Sequence, residues 1–181
     1  FEGDLAHLVN YPSTTSVAYL NSLCTTNRYA YSGINMTYNE VPTYSWTVMA
    51  MTHEMGHALG SPHTHACSWN GDGTAIDGCA PTYSADLAEG DCPIGPIPTD
   101  GGTIMSYCHL VSTGINLTKG FGEQPGALIR QTVDSKACLS GNCVTACATT
   151  VTGLSVPTVA KTTASVVITD ATSTDWKYRV S

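Results

Sequence analysis

Apolar and polar positions change rhythm several times along the chain. Around 17–20 and 34–38 apolar residues alternate with polar ones, the period of two that predicts half-buried strands. A turn at Pro42 leads into a predicted helix capped near Ser45 and ended by Gly60, a residue free to take the positive φ that stops a helix. From 60 to 123 the sequence is rich in Gly, Pro, Ser, Thr and Asp with no sustained period, longer than an ordinary loop of a compact domain. Disulfides and a bound ion would have to supply its order. At 124–138 Ala127, Leu128, Ile129, Val133 and Ala137 recur at helical intervals, with Pro125 in the first turn, and predict a closing helix. Past 151 Thr, Ser and Val alternate as in strands. The fold class read from this order is α+β.

Composition narrows the setting. The chain has 181 residues, 42% hydrophobic and 12% charged, enough to bury one good core. Its net charge is −7 with only seven Lys and Arg, so no basic surface exists to hold a nucleic-acid backbone, and nucleic acid is excluded as a partner. No stretch approaches the ~20 apolar residues that span a bilayer. The chain does not open on a charged-then-apolar leader, so any export signal is expected to lie outside it. Eight cysteines, at 24, 67, 79, 92, 108, 138, 143 and 147, form an even set without a C-x-x-C pair, which points to disulfides and an extracellular location. A monomer is expected.

The chemistry is concentrated at 53–65, HEMGHALGSPHTH, which holds four of the six histidines. His53 and His57 are one helical turn apart, so both imidazoles leave the same face and can grip one metal ion. Glu54 is angled off that line, within reach of a water on the metal without ligating it, as a general base must be. A turn at Gly60 would swing His63 back as a third ligand. Three neutral ligands leave a fourth position open, the mark of a catalytic rather than a structural zinc. A bare H-E-x-x-H occurs in unrelated helices, whereas each added position of this longer string is one the mechanism requires.

With GGTIMSYCH at 101–109, about forty residues beyond the helix, the string resembles the metzincin zinc endopeptidases, whose signature joins these histidines to a later Met-turn. Within them it is most similar to the adamalysin or reprolysin branch, in a bacterial-type form. The resemblance runs from Gly3 to Cys138. It implies a helix segment at 3–11, the edge strand and its cysteine at 16–24, the next strand at 32–38 and the last helix at 124–139. It implies that His53, His57 and His63 bind Zn2+, that Glu54 is the base, and that Met105 is the hydrophobic floor under the metal. It also favours a Cys24–Cys138 disulfide. Cys67 lies just past the zinc loop and Cys108 just past the Met-turn, so those two are expected to pair, leaving Cys79 with Cys92 and Cys143 with Cys147.

Two positions depart from the branch. Thr64 stands where adamalysins usually have Asp, closer to the matrix metalloproteinase pattern. Met105-Ser106-Tyr107 resembles the M-x-Y of astacins and serralysins, where the tyrosine approaches the zinc and helps hold the transition-state oxyanion. Tyr107 is therefore read either as a catalytic residue of that kind or as a buried tyrosine satisfied by a backbone partner. Only 52 residues precede His53, fewer than metzincins usually have, so the catalytic domain is expected to be truncated at its N-terminal strands. The domains expected are a zinc peptidase domain at 1–148, with an irregular disulfide-bonded lower half, and at 149–181 the start of a β-rich module resembling fibronectin type III, or a strand-forming linker.

The implied function is a secreted zinc metalloendopeptidase acting on protein or peptide substrates, in which Glu54 takes a proton from the zinc-bound water and later gives it to the leaving amine. Peptide would lie extended along the strand near Val17, and 109–114 would wall the pocket for the residue after the cut. The alternative is a catalytically inactive zinc-containing adhesion or binding module. Glu54 argues against it, because a structural site has no use for a base. Asn70, Asp72 and Asp77 have partly Ca2+-like spacing, but the twelfth-position Glu is missing and a polar turn is the preferred reading. His65 is expected behind the ligands or at the surface. Asn35 and Asn116 sit in glycosylation sequons.

Overall fold

The computed structural model describes residues 3–139 in full and, beyond them, the backbone of two strands at 153–159 and 164–169. The chain divides into two units, Phe1–Leu139 and Ser140–Ser181. The first is mixed α and β. Strands β1 (Ala6–Asn10), β2 (Ser16–Ala18) and β3 (Tyr29–Gly33) form a sheet in the order β1-β3-β2, with β1 parallel and β2 antiparallel to β3. Helix α1 (Trp46–Ala58) packs on β3 and β2; short α2 (Cys79–Tyr83) and α3 (Glu123–Ser135) follow.

The segment expected to be a helix at 3–11 is instead strand β1. What decides it is a tertiary partner: all five residues from Ala6 to Asn10 find parallel ladder partners in Tyr29–Gly33 of β3. The second expected strand is also displaced: β3 ends at Gly33, and 34–38 carry no strand. There Asn35 Oδ1 accepts from Thr37 N at 3.1 Å and from the Thr37 hydroxyl, a local closure that competes with a ladder. Trp46 Nε1 and Thr47 Oγ1 donate to the carbonyls of Gly33 and Asn35 at 2.9 and 2.7 Å, fixing the exit from the sheet to the start of α1.

Helix α1 begins at Ser45, whose extended backbone (φ −144°) suits a cap although its side chain makes no capping bond. It buries Met49, Ala50, His53, Glu54 and Ala58, a face recurring at three and four residues. It stops at Gly60, φ +101°, where the amides of Leu59, Gly60 and Ser61 return to the carbonyls of Met55, His57 and Gly56. The closing helix is present, but its buried side is Pro125, Gly126, Ile129 and Thr132; Ala127 and Ala137 are exposed. Thr132 explains the rotation. Its Oγ1 lies 2.7 Å from where a Cβ on Gly60 would stand, so α3 is seated against the bare backbone that ends α1.

The core joins Met49 of α1 to Ile104, Met105 and Leu117, with Tyr44, Trp46, Val48, Ile115 and Phe121 packed around them. Gly56 lets this happen. A Cβ there would meet Met105 Sδ at 2.4 Å and Phe121 Cε1 at 2.8 Å, so Gly56→Ala is expected to cost about 1–3 kcal/mol in a urea denaturation series through overpacking.

The irregular stretch is held by turns and disulfides, as its composition requires. Cys24 pairs with Cys138 as expected, but the other two described bridges are Cys67–Cys92 and Cys79–Cys108, not Cys67–Cys108 and Cys79–Cys92. The Thr64 carbonyl accepts from the amides of both Ile76 and Asp77, turning the chain back so that Cys79, rather than Cys67, arrives at the Met-turn. Cys143 and Cys147 lie outside the described residues. In the second unit β4 (Gly153–Val159) and β5 (Ala164–Thr169) form an antiparallel pair.

Candidate metal centre

Helix α1 carries His53 and His57 on its buried side, and the turn after Gly60 delivers His63 to them. His63 Nε2 lies 3.0 Å from His57 Nε2 and 3.1 Å from His53 Nε2. Each Nδ1 is held from outside the cluster. His53 Nδ1 donates to the Ile104 carbonyl at 2.7 Å, His57 Nδ1 to the Ser61 carbonyl at 2.8 Å, and His63 Nδ1 to Glu89 Oε1 at 2.6 Å.

That pattern fixes the tautomers. A carbonyl oxygen only accepts, so Nδ1 of His53 and of His57 carries the hydrogen and Nε2 is left as a bare lone pair in the neutral ring. Burial first, then the neighbouring imidazoles, pushes His53 well below the ordinary histidine value and His57 down to about 4, which keeps these rings neutral at physiological pH. Lone pairs facing one another at about 3 Å repel unless a cation lies among them. The donor set, all imidazole nitrogen, suits zinc.

Glu54 follows His53 on α1 and is 6% exposed. Its carboxyl makes no hydrogen bond among the described residues, and burial pushes it up to about 7. It faces a cavity of about 300 Å³ whose walls include Trp46, Met49, Tyr107, His109 and Leu110. Of the 109–114 segment expected to wall a pocket, His109 and Leu110 line this cavity.

Met105 is fully buried against Gly56, one residue before His57. Its carbonyl accepts from Thr64 N at 3.2 Å and Thr64 Oγ1 at 3.4 Å, while the preceding carbonyl holds His53. The Met-turn thereby ties His53 to Thr64, the residue after His63. Thr64 does this as a 1%-exposed hydroxyl rather than as a charged side chain.

Tyr107 stands beside the histidines, its ring centroid 4.6 Å from that of His63 and 5.9 Å from that of His53. No hydrogen bond engages its hydroxyl among the described residues. Burial, then Glu89 and Glu54, raises its pKa, so it is a neutral donor. His65 is buried and stacked on His63 at 4.8 Å and 11°. Glu89 is the residue that the sequence analysis missed. It lies 26 positions from His63 in a segment without periodicity, and no spacing rule announces it.

The calcium-like residues are used otherwise. Asp72 Oδ1 accepts from Thr74 N and Oγ1, and Asp77 Oδ1 accepts from Cys79 N, so both serve local turns and nothing supports a Ca2+ site.

A family model described as Reprolysin_5, metallo-peptidase family M12, matches residues 2–117, a span that contains the histidine string, Glu89, Met105 and Tyr107. No curated protein and no solved structure matches the chain. The match lends no support to the fibronectin-like reading of the last segment.

Proposed function

We propose, on the premise that the chain belongs to metallopeptidase family M12, that it is a secreted zinc-dependent endopeptidase cutting within protein or peptide substrates. The observation that carries the reading is the convergence of three imidazole Nε2 atoms beside an unpaired carboxyl, Glu54, at the wall of an open cleft. His53, His57 and His63 would hold zinc, which when bound supplies the Lewis acidity that polarises a peptide carbonyl and acidifies a water. Glu54 takes the proton of the attacking water on its carboxylate and hands it to the leaving amine nitrogen. Met105 is the apolar floor, and its backbone holds the ligand loop in place.

Strand β2 pairs with β3 alone among the described residues, and Val17 on it is 63% exposed, so its outer edge can add an extended peptide by main-chain hydrogen bonds. The cavity beside Glu54 has Trp46, Met49 and Leu110 in its walls and suits an apolar side chain next to the cut bond. The three described disulfides support an extracellular enzyme. Elemental analysis is expected to find one zinc per chain, with casein cleaved and a chelator stopping it. A folded, zinc-loaded chain that leaves unstructured proteins uncut would overturn the proposal.

Tyr107 is proposed as a donor to the substrate oxygen as that atom gains charge. Its free hydroxyl and its place beside His63 support the role. Tyr107→Phe is then expected to lower kcat by up to ~10²-fold with little change in KM, because the bond is made only in the transition state. Stability should barely move. A loss of ~1–3 kcal/mol in a denaturation midpoint with kcat intact would identify a packing tyrosine instead.

A further inference from the structure

Among the three histidines, His63 differs in what steers it. His53 and His57 donate Nδ1 to main-chain carbonyls close to the cluster, whereas His63 donates to a side-chain carboxylate from a separate loop. That loop is firmly attached. After the turn Ala85–Leu87, the Glu89 carbonyl accepts from Cys67 N at 3.0 Å, Ala66 bridges to Glu89, and Cys67–Cys92 closes the segment covalently. Gly90, φ +112°, is required there, since a Cβ would stand 2.7 Å from Cys67 Sγ. His65 completes the arrangement, with its ring stacked on His63 and its Nε2 3.6 Å from Glu89 Oε1.

We infer that Glu89 is a positioning residue for the metal centre, orienting the His63 ring, fixing its hydrogen on Nδ1 and making Nε2 a stronger donor, with the Cys67–Cys92 loop and His65 holding the carboxylate in place. The inference rests on the proposed zinc site. Glu89 approaches the Nδ1 edge, opposite the Nε2 that faces His53 and His57, so it supports a ligand rather than being one. A carboxylate on a ligand's far nitrogen raises ligand basicity, and losing such partners costs metal affinity ~10–100-fold. Trp69 Nε1 donates to the His63 carbonyl at 2.7 Å, so main chain and ring are fixed separately.

The test compares full chains of wild type, Glu89→Gln and Glu89→Ala. Zinc dissociation constants come from competition with a chromophoric chelator, the visible spectrum from Co2+ loading, and a melting midpoint from each metal-free protein. Glu89→Ala is expected to bind zinc ~10–100-fold more weakly, with a changed Co2+ spectrum and an unchanged metal-free midpoint. Glu89→Gln, whose amide oxygen can still accept from Nδ1, should fall between the two and keep a near-wild-type spectrum. Zinc binding and Co2+ spectrum in Glu89→Ala equal to wild type would overturn the inference while leaving the zinc site standing. Equal zinc losses in both variants, with equally lowered metal-free midpoints, would also overturn it, showing that Glu89 only stabilises its loop. Failure of wild type itself to take up zinc would overturn the proposed function first, and this role with it.

Discussion

Glu54→Gln is expected to retain one zinc per chain while losing hydrolysis of casein by ~10²–10⁴-fold in kcat/KM, the range that a general base supplies. Glutamine matches glutamate in shape but cannot take the proton of the attacking water. The metal should stay because the ligands do not depend on Glu54; each Nδ1 is held by Ile104, Ser61 or Glu89. The fold should stay as well, since the carboxyl has no hydrogen-bond partner among the described residues, and a neutral amide in its 6%-exposed position removes a desolvation cost. Zinc content, a denaturation curve and a casein assay on one preparation separate these effects. Cleavage by Glu54→Gln at the wild-type rate would show that another group is the base.

The histidine cluster was legible because its spacing is a geometric instruction. Residues one helical turn apart must share a face, and a glycine after the helix must let the chain return, so His53, His57 and His63 could be read as a set before any coordinates. Met105 was legible only through resemblance, since nothing in periodicity says that a buried methionine at 105 lies against Gly56. The disulfides show where local reasoning ends. Cys67 and Cys108 flank the site in sequence, but the double hydrogen bond on the Thr64 carbonyl reverses the chain and brings Cys79 to the Met-turn. Strand β1 illustrates a different failure: the helix at 3–11 was implied by resemblance alone, and pairing with β3, a contact about twenty residues away, decides the outcome. Glu89 combines both problems, being a lone carboxylate in an aperiodic stretch whose position depends on the bridge from nearby Cys92 back to Cys67.

Removing zinc is expected to lower the melting midpoint on the order of 10 °C. A ligand that binds only the folded state stabilises it by ~4 kcal/mol at a thousandfold excess over its dissociation constant, and each kcal/mol moves the midpoint of a domain this size by roughly 3–4 °C. Without the ion, Nε2 lone pairs confront one another 3.0 and 3.1 Å apart in a partly buried cluster, with their Nδ1 partners preventing the rings from simply turning away. The three described disulfides should keep the stripped chain folded at room temperature, so the loss is expected to reverse on adding zinc. Scanning calorimetry of metal-free and zinc-titrated protein measures it. The midpoint should rise with the logarithm of free zinc in wild type and stay flat in a His57→Ala variant. A midpoint that does not respond to zinc in wild type would mean that the three histidines do not hold the ion.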